Sequence, residues 1–239
     1  MARLPPTGLP WLWSTTYRLV GTETSTTTAM SGMPDTVMTG GTLELPRTDV
    51  AYPMGRPPAG QRQIAEDAAG SVLAQLGLSP EETEATALIT AGMPGQDAGD
   101  FALIAVRVPS GAVVLTASWG QRVPDGSGNG SMAARGECGT DVRPAGPPVT
   151  ERVVAAACEM WDPATGGQRG TVLLVSAPPS AAAVRLYEGN GDYLGQHALT
   201  DGRLVMSMDR GLTEVEAVTA DGVLLGRSDL LASMIWLGE

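Results

Sequence analysis

Several residue types that support common protein functions are scarce or missing in this 239-residue chain. All 15 basic residues are Arg, there is no Lys, and the acids leave a formal net charge of −11. Nucleic acids and anionic membranes bind clustered positive charge, so the composition argues against a nucleic-acid partner. His197 is the only histidine, which leaves one imidazole for general-base or metal-ligand chemistry.

Long apolar runs are also missing. No stretch of 18 apolar residues occurs, so we expect no transmembrane segment in this chain. The first ten residues lack the charged and apolar regions of a signal peptide. If the protein works outside the cytoplasm, we expect its signal or anchor to lie outside this chain, and Met1 need not be the native start.

Only two cysteines are present, Cys138 and Cys158, and they lie in Gly/Pro-rich surroundings without CxxC spacing. This arrangement favours a structural disulfide over a zinc or redox site, with two buried free thiols as the alternative. Disulfides persist in oxidising compartments, so the pair predicts an extracytoplasmic protein, secreted or tethered.

The middle of the chain predicts a small α+β unit over residues 51–120. Ala59–Leu76 has apolar residues at helical spacing, with Gly77 placed to end the helix. A second short helical turn is expected from Ser79. Two β-rich runs, 101–108 and 112–119, are joined by the three-residue connection Pro109–Gly111 and predict a hairpin packed on the one main helix.

The flanking segments predict less regular structure. Residues 1–50 are expected to be extended, with one strand over 10–20 followed by a Ser/Thr-rich loop. Residues 121–168 form a Gly/Pro-rich connector: a long loop over 120–148 that holds Cys138, then a strand over 149–160 that carries Cys158.

Residues 169–239 contain an internal repeat, in which Val184–Gln196 superposes without a gap on Val215–Arg227, 31 residues later. Each copy is an alternating apolar run that reaches Asn190-Gly191 or Asp221-Gly222, pairs that favour a two-residue type I′ turn. Each copy therefore predicts a β-hairpin. Six short strands over this region predict an immunoglobulin-like β-sandwich, so the fold class is α+β and mostly β.

A stripe of aromatic residues is the most suggestive ligand-binding feature. Trp11, Trp13 and Tyr17 share one face of the predicted strand over 10–20, where flat rings could stack on sugars or on a partner surface. The alternative is core packing, because the chain has only five Trp and one Phe.

The candidate catalytic residues have structural readings as well. A two-residue turn at Asn190-Gly191 places His197 opposite Val184, on the same face as Leu186 and Tyr193, which favours a structural or exposed imidazole. No Gly-x-Ser-x-Gly elbow marks a nucleophilic serine.

Metal and acid sites receive similarly weak support. Asp125, Ser127, Asn129 and Gly130 match the opening of a calcium loop, but position 12 falls on Gly136, so we expect neither a metal nor a cofactor. Several carboxylates could pair across a cleft as in glycoside hydrolases, although a solvated acidic surface is the alternative. They are Glu81, Glu82, Glu84, Glu214 and Glu216.

Residues 170–231 contain Ala177-Pro178-Pro179, the repeat motifs and Leu230-Leu231. With these motifs, the stretch looks like the C-terminal part of uncharacterised, membrane-anchored or secreted actinobacterial proteins. The segment 108–119 is similar to them in the same way. It implies a location at the cell envelope, and it brings no assigned activity or catalytic residue.

The leading hypothesis is a non-enzymatic extracytoplasmic ectodomain for protein interaction or sensing at the cell envelope, with its oligomeric state open. The first alternative is a carbohydrate or cell-wall binding module that uses Trp11, Trp13 and Tyr17. The second is a hydrolase built on His197 or on a carboxylate pair.

Overall fold

The computed structural model describes residues 46–93, 99–123, 131–161, 168–208 and 212–231. These residues form one α-helix, α1 (Ala59–Leu76), and twelve strands in two sheets. The strands are β1 (Val50–Ala51), β2 (Glu84–Met93), β3 (Gly99–Arg107), β4 (Val113–Val123), β5 (Ser131–Arg143), β6 (Val154–Trp161), β7 (Gln168–Ser176), β8 (Ala183–Tyr187), β9 (Tyr193–Ala198), β10 (Arg203–Met208), β11 (Glu214–Val218) and β12 (Leu224–Leu231). The predicted α+β, mostly β fold class is confirmed.

Helix α1 spans the residues that its apolar spacing predicts. Its buried stripe includes Ile64, Ala68 and Val72, which pack against the first sheet. Gly77 ends the helix in the left-handed conformation, with a φ of 63°.

The first sheet has the order β1-β2-β3-β4-β5, and only the two-residue strand β1 runs parallel to its neighbour. Strand β3 is buried on both faces, and its side chains alternate between two cores. Ala102, Ile104 and Val106 face α1, whereas Phe101 and Leu103 face the second sheet. The first sheet therefore lies between α1 and the second sheet.

Two of its strands differ from the sequence prediction. Strand β2 was not predicted, because its Ala-rich run is interrupted by a bulge between Ala87 and Ile89 that shifts the alternation. The long loop predicted over 120–148 is wrong for residues 131–143, which pair along β4 as β5. Its glycines conceal the strand, and Gly136 makes room for the Trp119 ring, because a Cβ there would lie 2.4 Å from the indole Nε1.

The second sheet has the order β10-β7-β6-β12-β11-β8-β9. The six strands predicted for this region are confirmed as β7 to β12, and their ends differ from the prediction by a few residues. Strand β7 is apolar on both faces, because Val172 and Leu174 pack against the first sheet, whereas Leu173 and Val175 pack against β8 and β11. The strands β6, β7 and β10 thus form a middle layer.

Strand β12 connects the two halves of this sheet. Glu214 to Val218 of β11 pair with the first part of β12 in antiparallel fashion, and Leu230 and Leu231 pair with Ala155 and Ala156 of β6 in parallel. The sheet therefore folds over itself around the apolar cluster that holds Val184 and Val215. This arrangement is the sandwich-like module, with β12, β11, β8 and β9 as its outer layer.

The turns of the two repeat hairpins correct a detail of the prediction. Gly191 N donates to Glu188 O and Glu188 N to Asp192 O, so the loop has three residues rather than two. In the second hairpin, Gly222 N donates to Thr219 O and Thr219 N donates to Val223 O, so its loop also has three residues. A type I turn followed by one left-handed glycine needs only a single positive φ, so type I′ geometry is absent at both turns. The predicted three-residue connection Pro109–Gly111 has this same turn.

Candidate functional site

The predicted disulfide between Cys138 and Cys158 is formed. It joins β5 of the first sheet to β6 of the second, and both cysteines are buried in the core between the sheets. The bond therefore ties the two sheets together at a point that water does not reach.

The aromatic stripe of Trp11, Trp13 and Tyr17 lies outside the described residues. Residues 125–130 of the calcium-loop match lie outside them as well. Both remain sequence predictions.

His197 lies opposite Val184 on β8, as the repeat register predicts, and Leu186 shares that face. The expected position of Tyr193 is wrong. A bulge at Leu194 adds one residue to β9, so Tyr193 pairs with Tyr187 and turns to the opposite face of the sheet. There the two rings contact each other, with centroids 5.7 Å apart.

The two repeat hairpins are related by an approximate two-fold axis. Strands β8 and β11 pair so that Val184 lies opposite Ala217 and Leu186 opposite Val215. Exchanging the hairpins leaves this register unchanged, and Arg185 and Glu216 lie opposite each other at the axis. The bulge at Leu194 has its counterpart at Leu225, so the hairpins match residue by residue.

The outward side of this four-stranded layer carries a polar row that runs across all four strands. The row consists of Arg227, Glu216, Arg185 and Gln196, one residue from each strand. A second row, two residues further along, consists of Asp229, Glu214, Tyr187 and Tyr193. We call these eight residues the outer face.

Glu216 is the centre of the outer face and is only 6% exposed. Arg227 Nη2 lies 2.6 Å from Glu216 Oε1, and the Tyr187 hydroxyl donates to Oε2 at 2.9 Å. The Nη1 atom of Arg185 lies 3.9 Å from the same Oε2. A buried carboxylate is stable when it is paired and hydrogen-bonded in this way.

The network extends to both sides of Glu216. Arg227 Nη1 lies 3.8 Å from Glu214 Oε1, so one guanidinium bridges two carboxylates. Arg185 Nε donates to Gln196 Oε1 at 3.4 Å. These contacts fix long side chains that would otherwise move freely, and Tyr193 and Arg227 remain well exposed above them, at 56% and 59%.

The electrostatics of the outer face keep Tyr187 protonated. The hydrogen bond to Glu216 is the main cause that raises the pKa of the Tyr187 hydroxyl above its ordinary value. With both of its oxygens occupied by donors, Glu216 is suited to orienting its neighbours rather than to transferring protons.

The candidate carboxylates lie in three separate places. Glu81 and Glu82 belong to a short 3₁₀ turn before β2, where the predicted capping box places the Ser79 backbone N–H 3.0 Å from Glu82 Oε2. Glu214 and Glu216 lie two residues apart on β11 and share Arg227, so they do not face each other across a cleft. Glu84 pairs with Arg107 on the first sheet.

In the part of the chain that the structure describes, no three His, Cys, Asp or Glu side chains converge into a group that could hold a metal ion. The same residues include no helix with the length and hydrophobicity needed to span a membrane.

The outer face was not predicted as a site from the sequence. Alternation in Glu214–Val218 shows that Glu216 points away from the sandwich core. Its burial depends on Arg227 of β12 and Tyr187 of β8, which lie on the two strands that flank β11. The repeat of Leu194-Gly195 as Leu225-Gly226 is the sequence signal that marks both bulges.

No family model matches this chain, and comparisons with curated proteins and with solved structures likewise found no match.

Proposed function

We propose that the chain is a non-enzymatic extracytoplasmic module that binds a protein partner at the cell envelope through its outer face. The disulfide between Cys138 and Cys158 is the observation that carries the proposal, because it supports an oxidising compartment and braces the fold that presents this surface. The resemblance of residues 170–231 to envelope-associated actinobacterial proteins supports the same location.

The composition of the outer face supports protein binding. Tyr and Arg are enriched in protein interfaces and dominate their binding energy, and this face combines Tyr187, Tyr193, Arg185 and Arg227. The Glu216 network holds three of these four side chains in place. Pre-organised side chains lose less conformational entropy when a partner binds, so the network favours affinity.

The location is tested by counting thiols. Protein isolated from an oxidising compartment, denatured in the presence of a thiol reagent, is expected to show no titratable cysteine. Two titratable thiols would remove the support for the compartment.

Binding is tested with isolated cell envelopes that are either intact, treated with protease, or digested with a muramidase. We expect the chain to bind intact and muramidase-digested envelopes, and to lose binding after protease treatment. Tyr193→Ala should weaken binding by about tenfold or more, as expected for an aromatic hot spot. Val142→Ala is the matched control, because Val142 is similarly exposed but lies on the first sheet.

The same assay tests the carbohydrate alternative. Binding that survives protease but is lost after muramidase digestion, and in the triple variant Trp11→Ala, Trp13→Ala, Tyr17→Ala, would favour a cell-wall binding module instead. No binding to any preparation, or equal binding by Tyr193→Ala and wild type, would contradict the proposed role of the outer face.

A further inference from the structure

Strand β9 ends the second sheet, and among the described strands only β8 pairs with it. An edge strand leaves a row of backbone N–H and C=O groups without partners in its own sheet, which can template pairing with another strand. Folded proteins usually prevent this with a charged residue, a proline, or a very short strand. The edges of this chain differ in how they follow that rule.

Three of the four edge strands in the described sheets carry such a device. Strand β1 has only two residues. Strand β10 begins with Arg203, an inward-pointing charge that reaches the first sheet. Strand β5 carries four charged residues: Arg135, Glu137, Asp141 and Arg143. By contrast, the six residues of β9, Tyr193-Leu-Gly-Gln-His-Ala198, include no Asp, Glu, Lys, Arg or Pro.

The repeat shows that charge at these positions is compatible with the hairpin. In the second copy, β12 carries Arg227 where β9 has Gln196, and Asp229 where β9 has Ala198. The copy that lies inside the sheet is therefore charged, and the copy at the edge is neutral. Edge protection would place the charged residues on the edge strand, whereas here they lie on the strand inside the sheet. The bulge at Leu194 is not an edge device either, because Leu225 repeats it inside the sheet.

We propose that β9 is a dimerisation edge, which pairs in antiparallel fashion with β9 of a second copy of this chain. In a two-fold symmetric pair of strands, any charged residue would lie near the same residue of the other protomer and would be repelled by it. A strand without charged residues avoids this repulsion. Since the chain carries a net charge of −11, a neutral edge is also where two copies approach with little repulsion. The two outer layers then join into one continuous eight-stranded layer, with Tyr193 and Gln196 beside the seam.

This dimer forms whether or not the outer face binds an envelope partner, so the two proposals are tested separately. Sedimentation velocity of the full chain, from low micromolar to near-millimolar concentration, is expected to show a monomer–dimer equilibrium. Added NaCl should tighten the dimer, because salt screens the repulsion between two acidic chains. A monomer at every concentration would overturn the inference.

The decisive variants transfer residues from the second copy to the first. Gln196→Arg and Ala198→Asp introduce the side chains that the second hairpin holds at the equivalent positions, Arg227 and Asp229. Both variants should therefore fold. Each should weaken dimerisation by about tenfold or more, because a charge would be brought against the other protomer. Ala220→Asp, which adds the same charge in an exposed turn, is the matched control and should dimerise as the wild type does.

Hydrogen exchange of the wild type provides a measurement that needs no variant. The amides of residues 193–198 that point away from β8 should gain protection as the protein concentration rises through the dimerisation range. Protection that is equally strong in the dilute monomer would show that another segment of the same chain covers the edge. That result, or dimerisation unchanged in both charged variants, would contradict a β9 interface.

Discussion

Arg203 donates a hydrogen bond from its Nε to the carbonyl oxygen of Leu88, which joins β10 of the second sheet to β2 of the first. Leu88 is the residue that the β2 bulge leaves out of the ladder between Ala87 and Ile89. Burial lowers the pKa of the Arg203 guanidinium from its ordinary value, which agrees with its place between the sheets. The carbonyl oxygen of the bulged residue in one sheet thus accepts a hydrogen bond from a side chain of the other sheet.

Removing this side chain should destabilise the fold. Arg203→Met leaves the Leu88 carbonyl, on a residue only 2% exposed, without its guanidinium donor, and we expect a loss of about 1–3 kcal/mol in the free energy of unfolding. Urea denaturation measures the loss. Arg107→Met removes an exposed ion pair with Glu84 and should cost about 0.5 kcal/mol or less. Equal effects of the two variants would contradict a role for the contact between sheets.

The disulfide should contribute measurably to stability. Replacing both Cys138 and Cys158 by Ala opens a loop whose ends are 20 residues apart, which in the chain-entropy model costs about 3 kcal/mol. The urea midpoint of the double variant should fall accordingly under oxidising conditions. Under strong reduction the wild type should approach the variant. A wild type whose midpoint does not respond to reductant would contradict this expectation.

Gly202 should tolerate substitution less well than Gly77, although both have positive φ. Gly77→Ala places its Cβ in open space and should cost about 1–2 kcal/mol from backbone strain alone. At Gly202 the added Cβ would also lie 2.6 Å from the carbonyl oxygen of Ala177. Thermal denaturation of the two alanine variants compares them, and a Tm for Gly202→Ala at or above that of Gly77→Ala would refute the clash.

Tyr52 should contribute to the pH dependence of stability in alkali. Burial, and secondarily the charge of Glu66, raise the pKa of Tyr52 from 10.0 to about 12. A raised folded-state pKa means that this contribution is fully present below about pH 10 and is lost as the pH rises toward 12. Tyr52→Phe should reduce the loss of stability over that interval, measured by urea denaturation at several pH values. If the free energy of unfolding had the same pH dependence in Tyr52→Phe as in the wild type, the Tyr52 hydroxyl would be solvated rather than buried.

Glu216→Gln should lower the pKa of Tyr187. The hydrogen bond to the Glu216 carboxylate is the largest cause of the raised pKa, and a neutral amide removes the charge from that acceptor. Titration of Tyr187 followed by NMR measures the change. Glu214→Gln, two residues away on the same strand, is the control and should have a smaller effect. A pKa of Tyr187 that is the same in both variants would argue against the Glu216 bond as the cause.

Periodicity and turn chemistry account for what was predictable in the fold. The 18 residues of α1, with Gly77 at the end, satisfy helical spacing and capping at once, so local sequence defines the whole element. The repeat hairpins are similarly local. Strand β5 is held instead by its partner β4, by Trp119 over Gly136 and by the disulfide, and none of these contacts has a local signal.

The candidate site was predictable in its parts and not as a whole. Alternation points Arg185, Tyr187 and Glu216 to one side of the sheet. The bulge that turns Tyr193 toward Tyr187 reverses the alternation after Leu194, and a strict two-residue period therefore assigns Tyr193 to the wrong face. Burial of Glu216 follows from contacts between three strands, and a reading of one strand at a time does not show it.

The position of β12 sets an order on the assembly of the protein. Leu230 and Leu231 pair in parallel with β6, and these residues form the end of the last described strand. Parallel pairing between segments so distant along the chain has a high entropic cost and forms slowly. During synthesis, β6 must wait for β12 to emerge before the second sheet can close.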